Sequence, residues 1–139
     1  MALKIKKILL FLIILFNSGV FFLYGLAKLT GFQLVYRTPP PDLLLKDVSP
    51  LGIMWYFFSL KKGYAVLVAL AEIVPAILIL FKRTRFLGII LCLVTAANIL
   101  AINIFFGITP WTLAISVVVF IYALIILYSE RQKLKMLLS

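Results

Sequence analysis

The chain has 139 residues, of which 65% are hydrophobic, and it carries 14 lysines and arginines against 4 acids. Soluble domains are only about 45–50% apolar, so this composition predicts a membrane protein. The net charge of +10 does not indicate nucleic-acid binding, because the basic residues gather at the ends of apolar runs, where lipid head groups favour them.

The content of metal-ligating residues excludes several chemistries. There is no histidine, and Cys92 is the single cysteine. A His-ligated haem, a Cys/His zinc site and an intrachain dithiol are therefore excluded. We predict no metal site, no catalytic residue and no evident cofactor, although a quinone or a lipid remains compatible with the sequence.

Four apolar segments have the length of membrane-spanning helices, at about residues 8–28, 63–81, 86–107 and 111–128. About 20 residues cross about 30 Å of hydrocarbon, and lipid leaves an open backbone without partners, which favours helices. The first segment has a basic start, but its apolar run exceeds the ~7–15 residues of a signal peptide, so we expect it to be retained. The predicted fold is an all-α, polytopic four-helix membrane bundle forming a single domain, 1–139.

The basic residues predict the orientation of the bundle. Nine fall on the side of the two termini, and five fall on the other: Lys4, Lys6, Lys7, Lys82, Arg83, Arg85, Arg131, Lys133 and Lys135 against Lys28, Arg37, Lys46, Lys61 and Lys62. The positive-inside rule then places both termini in the cytoplasm and the protein in the cell (inner) membrane. The tail after Tyr128 is expected to continue the fourth helix as a basic, amphipathic extension.

The long connection 29–62 lies on the predicted outer side. Residues 37–42 contain three prolines and are expected to be extended. Ser49 is a suitable N-cap and Pro50 a suitable first helical residue. They precede an aromatic run that begins at Trp55 and is too short to span, so we predict a short interfacial helix.

Glu72 is the only acid inside a predicted span, a position that is costly unless the acid is paired or neutral. A count of 1.5 Å per residue from the cytoplasmic ends places it about 13 Å deep, with Asn17, Thr95 and Asn98 near the same level. We therefore predict an intramembrane polar network of these four residues, with a neutral Glu72 bonded to Asn17 or Asn98. The same count places Lys28 about 16 Å further out, where it would snorkel to the outer head groups rather than pair with Glu72.

The sequence also supports a second interpretation, in which these side chains line a polar cavity that opens to the outer face. Residues 17, 24 and 28 share one face of the first helix. The predicted ligand-binding residues are Tyr24, Lys28, Gln33, Trp55, Asn98 and Asn103, with Glu72 at the floor. Glu72 would then bind a ligand or transfer a proton. The alternative is that it makes only a structural hydrogen bond between helices. Pro75 has no backbone N–H, so the carbonyl of Ala71 loses its hydrogen-bond partner if the helix continues through the proline.

The stretches "YGLAKLTGFQ", "SPLGIMWYFF" and "AEIVPAILILFKRTRFLGIILCLVTAANILAINIFF" resemble the DoxX-like family of small four-helix membrane proteins, over about residues 17–128. The matching residues are Tyr24, Gly25, Lys28, Gly31, Gln33, Glu72, Arg83, Thr84, Gly88, Asn98 and Asn103. The chain departs from the family at Leu34, where phenylalanine is usual, and in the turn "FGITP", which lacks an acid. The resemblance implies a four-helix bundle and links to quinone oxidoreductases and to membrane complexes of oxidative stress.

Three functions follow as hypotheses. The first is a membrane accessory or binding subunit that holds a lipid or quinone-like ligand and packs against other membrane subunits or its own copies, without turnover of its own. The alternative is a subunit of a quinone-linked oxidoreductase in which Glu72 moves protons. Transport of a small solute is weaker, because four helices with no inverted repeat leave little room for alternating access.

Overall fold

The computed structural model describes residues 2–33 and 44–138. The proline-rich segment 37–42 and Leu34 lie outside that part of the chain. The described residues form α-helices and a single 3₁₀ turn, with no strand among them. The helices are α1 (Ala2–Leu29), α2 (Pro50–Ser59), α3 (Lys62–Leu78), α4 (Arg85–Phe106), α5 (Pro110–Ser129) and α6 (Arg131–Leu138).

Four long helices pack side by side, so that α1 contacts α3 and α5, while α4 contacts α3 and α5. The core between them combines large apolar side chains with small ones. Among the fully buried residues are Phe21, Ile79, Ile89, Ala123 and Ile126. The outward faces are rich in exposed leucine, isoleucine and phenylalanine, as a helix surrounded by lipid requires.

Three helices are long and apolar enough to cross a membrane: Leu3–Leu29 within α1, Arg85–Phe106 and Pro110–Ser129. The chain is therefore a membrane protein by the length and composition of its helices. Helix α3 has 17 residues and ends three residues before the predicted limit of its segment, at the turn that leads to Arg85.

Helix α3 continues through Pro75, and the backbone carbonyl that the proline leaves free finds a partner on the next helix. The Thr95 hydroxyl lies 3.3 Å from the carbonyl oxygen of Ala71 and 3.0 Å from that of Leu91 in its own helix. One hydroxyl of α4 thus serves both carbonyls, which supports the sequence argument about Ala71.

The last carbonyls of α3 are also satisfied by side chains. Ser18 of α1 donates to Ala76 at 2.8 Å, Thr84 donates to Leu78 at 2.8 Å, and Arg85 Nε donates to Ile79 at 2.9 Å. A helix end without such partners would leave carbonyls bare in an apolar surrounding. These side chains therefore let α3 end early.

Helix α2 begins as the sequence predicts. The Ser49 side chain accepts a hydrogen bond from the backbone N–H of Gly52 at 3.1 Å, and Pro50 is the first helical residue. Aromatic rings fasten α2 to the start of α3: Tyr64 stacks on Phe58 at 5.9 Å and meets Phe57 edge-on at 5.5 Å between ring centroids. Helix α2 consequently covers one end of the four packed helices, which we call the α2 end.

The tail is not the continuous extension of the fourth helix that the sequence predicts. Helix α5 ends at Ser129, and Glu130 has φ −98° and ψ 11° before α6 begins at Arg131. At this interruption the side chain of Glu130 forms ion pairs with Arg85 and Lys133, as described below.

Candidate functional site

A cavity of about 340 Å³ lies toward the α2 end, lined by residues of α1 to α5. Its volume is at the lower end of the ~300–1,000 Å³ of small-molecule pockets. Most of its wall is apolar, with Phe21, Phe58, Leu67, Ile99 and Ile102 among the lining residues. Such a wall suits an apolar body, and the polar groups set into it would orient a head group.

The predicted site residues come together in this cavity. Its lining includes Tyr24, Lys28, Gln33, Trp55, Glu72, Asn98 and Asn103. They arrive from α1 and the turn after it, α2, α3 and α4. That they bind a ligand stays a prediction.

Sequence reasoning missed part of the wall. The lining also includes Met54, Tyr64, Thr112 and Ser116. Thr112 and Ser116 are four residues apart and so share a face of α5, a spacing that indicates an inward polar stripe and was visible in the sequence.

Lys28 and Glu72 form a buried ion pair in the cavity wall. Lys28 Nζ lies 2.8 Å from both carboxylate oxygens of Glu72, and the two side chains are only 9% and 2% exposed. The ammonium also lies 5.7 Å from the centre of the Tyr24 ring, within the range of a cation–π contact. The expectations that Lys28 snorkels away and that Glu72 bonds to Asn17 or Asn98 are therefore wrong.

The depth count failed because it aligned the helix ends. Ser18 bonds to Ala76, which sets the antiparallel register of α1 and α3 and makes Glu72 about level with Phe22 instead of Asn17. That brings Glu72 about 7.5 Å nearer to Lys28. A helical side chain also leans toward the N-terminus of its own helix. In antiparallel helices Lys28 and Glu72 consequently lean toward each other and close the remaining gap.

Small residues bring α1 and α3 close enough for this pair. Ala65, Ala69 and Ala76 of α3 are fully buried. A Cβ on Gly25 would lie 2.9 Å from the Ala69 carbonyl and 2.5 Å from Ile73 Cγ1. A side chain at position 25 would therefore push the helices apart, as in other close helix contacts built on small residues.

The four residues of the predicted polar network are not hydrogen-bonded to one another in the described structure. Asn17 is fully buried and its Nδ2 donates to the Val119 carbonyl of α5 at 3.3 Å. Thr95 bonds to backbone carbonyls, Glu72 bonds to Lys28, and Asn98 is exposed on the cavity. Each polar group has a separate role, because backbone carbonyls and a lysine offered partners that the depth count did not consider.

A second charged cluster occupies the opposite end. Lys133 Nζ lies 2.8 Å from Glu130 Oε2, and Arg85 Nη1 lies 3.7 Å from Glu130 Oε1. Lys133 also donates to the backbone carbonyl of Lys82 at 3.1 Å. The cluster joins the turn between α3 and α4 to the junction of α5 and α6. It does not line the cavity.

Comparison with known proteins gives one relative to report. The chain is 33% identical to "Uncharacterized protein YwoB" of Bacillus subtilis (strain 168) over 119 residues, which cover 86% of this chain and 75% of the relative. No family model matches the chain, and no solved structure matches it. The chain therefore belongs to the same family as this Bacillus protein.

Proposed function

We propose that the protein is a membrane binding protein that holds an amphiphilic ligand, a lipid or a quinone-like molecule, in the cavity at the α2 end. The observation that carries the proposal is the Lys28–Glu72 pair, buried in the wall of an otherwise apolar cavity. Removing two charges from water costs several kcal/mol per ion, at order of magnitude, and a pair of apolar residues would fill the same space as well or better. A ligand head group is a reason to place charge there.

The pair leaves binding capacity unused. An ammonium has three N–H donors, and Lys28 bonds to the two oxygens of Glu72. The third N–H is available for an oxygen of a ligand, and the Asn98 amide offers a donor and an acceptor nearby in the same cavity. The apolar wall would hold the body of the ligand, as in most small-molecule sites.

The membrane topology belongs to the same proposal. Helix α3 is a fourth crossing with both termini in the cytoplasm of the cell membrane. Support comes from its place between α1 and α4 and from the lysines at its ends, Lys61 and Lys62 at its start and Lys82 beyond its last residue. Seventeen residues rise about 26 Å, which a slightly thinned or dipped bilayer covers. Membership of the DoxX-like family and packing against other membrane subunits or its own copies are proposed with it.

Native mass spectrometry of protein extracted gently from its own membrane tests the binding function. We expect the wild type to retain a small molecule and the double variant Lys28→Met with Glu72→Gln to lose it, because the polar contacts of the head group are gone. Glu130→Gln is the matched control, since it removes the acid of the second charged cluster without touching the cavity. A wild type that carries no small molecule would contradict the proposal.

The single variant Glu72→Gln separates the alternative functions. A proton-moving role in a quinone-linked oxidoreductase predicts that Glu72→Gln abolishes turnover of the complex while the fold and the bound molecule survive. A binding role predicts loss of the bound molecule first. A partner chain retained by every variant would support the accessory role, because its contacts would not depend on the cavity.

A further inference from the structure

Two amide oxygens of the cavity-lining residues have no hydrogen-bond partner. Asn103 is 6% exposed, and its Nδ2 donates to the Ile99 carbonyl of its own helix at 2.9 Å. Rotating the amide would set two oxygens against each other, so this bond fixes Oδ1 as the free acceptor. Gln33 Oε1, on the turn after α1, is likewise buried without a partner. Both residues line the cavity.

Three hydroxyls in the same wall are already used as donors. Thr95 donates to the carbonyls of Ala71 and Leu91, and Thr112 and Ser116 donate to carbonyls within their own helix end. Among buried side-chain nitrogen and oxygen atoms of the described residues, those without a partner are all amide oxygens, on Asn17, Gln33 and Asn103. In the cavity wall, the buried side-chain atoms without a partner are therefore acceptors, Gln33 Oε1 and Asn103 Oδ1.

An unpaired buried acceptor costs free energy that a donor from outside can recover. We infer that the cavity selects amphiphiles whose head group carries a hydroxyl or N–H donor, and that Asn103 Oδ1 accepts its hydrogen bond. The inference rests on the proposed function and narrows it to one ligand class. A glycerol hydroxyl of a lipid and a phenolic hydroxyl share this chemistry. The oxygen of either can at the same time accept from the third N–H of Lys28.

The two tryptophans give a direct readout. Trp55 lines the cavity, whereas Trp111 is 80% exposed and does not. In a Trp111→Phe background in lipid vesicles, the fluorescence of Trp55 alone reports contact with a brominated ligand. The probes are ω-bromoundecanol and its methyl ether, which share the chain and the head-group oxygen and differ in the donor. The ether partitions more strongly than the alcohol into the lipid, so the two probes are compared by their concentrations in the lipid phase.

We expect the alcohol to quench Trp55 fluorescence saturably, and unbrominated undecanol to reverse the quenching. The apparent affinity for the alcohol should be about tenfold higher than that for the ether, because one well-placed hydrogen bond contributes a factor of this size. Asn103→Leu should reduce this preference to about twofold while the ether still binds, which shows that the cavity is intact. Asn17→Leu is the matched control, since Asn17 has the same kind of unpaired oxygen outside the cavity lining. It should keep the preference.

The outcomes separate the inference from the function on which it rests. Equal binding of alcohol and ether to the parent protein would overturn the donor selectivity and leave the binding function standing. Saturable quenching by neither probe would overturn both. Displacement of the alcohol by a monoacylglycerol or by an alkylated hydroquinone supports the inference and tells which hydroxyl-bearing class fits, and displacement by neither contradicts it.

Discussion

The two ends of the molecule each hold an acid in an ion pair, but the surroundings differ. Glu72 is 2% exposed and has a single cation, Lys28, in the wall of a cavity. Glu130 is 12% exposed and has two, Arg85 and Lys133, which also bond to backbone carbonyls. At the second end the charges close helix ends, whereas at the first they cap no helix. A buried ion pair that caps no helix and lies in a cavity wall is the observation behind the binding function that we propose.

The largest effect should come from removing one member of the Lys28–Glu72 pair. Lys28→Met leaves the carboxylate of Glu72 buried without a counter-ion, so the free energy of unfolding should fall by about 3–5 kcal/mol. Adding Glu72→Leu should restore most of it, because an apolar pair tolerates burial. Reversible unfolding in mixed micelles measures both, as a double-mutant cycle.

Lys61→Met is the control for that cycle, because Lys61 is exposed just before α3. We expect a change within about 0.5 kcal/mol. If Lys28→Met costs no more than this control, the ion pair contributes nothing to stability and the contrast between the two ends fails.

Gly25→Ala should have the next largest effect. The added methyl group meets Ile73 and the Ala69 carbonyl, so the overpacked contact should cost about 1–3 kcal/mol and separate the helices that carry the ion pair. Gly19→Ala, on the same helix with nothing within 4 Å of the new Cβ, should instead stabilise α1 by about 0.5–1 kcal/mol. The two variants are compared by the same unfolding measurement. Equal effects would contradict the close approach of α1 and α3.

The smallest effect should come from the opposite end. Glu130→Gln should cost up to about 1 kcal/mol, the value of a partly exposed ion pair. The cost should shrink further when salt is raised from about 0.1 M to about 1 M, because salt screens accessible charges. The cost of Lys28→Met should stay constant over the same range. If the cost of Lys28→Met also fell with added salt, the Lys28–Glu72 pair would be as accessible to salt as the Glu130 cluster.

Local signals predicted much of the fold correctly. Ser49 and Pro50 marked the start of α2, and the lengths of the apolar runs placed α4 and α5 within one residue at each end, because caps and hydrophobic runs act locally. The end of α1 was also placed within one residue, but the helix begins at Ala2, six residues before the predicted span, because its basic first turns continue the helix beyond the apolar run. The seven cavity residues were found because their polarity is costly in lipid wherever the helices lie. The end of α3 was missed, since the side chains that satisfy its carbonyls, Ser18 among them, come from other helices.

The partner of Glu72 could not be predicted by counting residues from the helix ends, because side-chain packing sets the register of two antiparallel helices. The close contact of Gly25 with Ala69 helps to fix that register, but in the sequence the two are recognisable only as small residues. Asn103 is a similar case. Its free oxygen follows from a bond to Ile99 in its own helix, which the sequence permits but does not require.

The burial of Cys92 makes the protein almost unreactive toward thiol reagents. Its side chain is fully enclosed between the helices, and it is the single cysteine of the chain. A cysteine introduced at Lys62, beside α2, or at Lys82, at the opposite end, would therefore be the one reactive sulfur for a membrane-impermeant maleimide. The native chain already supplies the clean background needed to learn which end faces which side of the membrane.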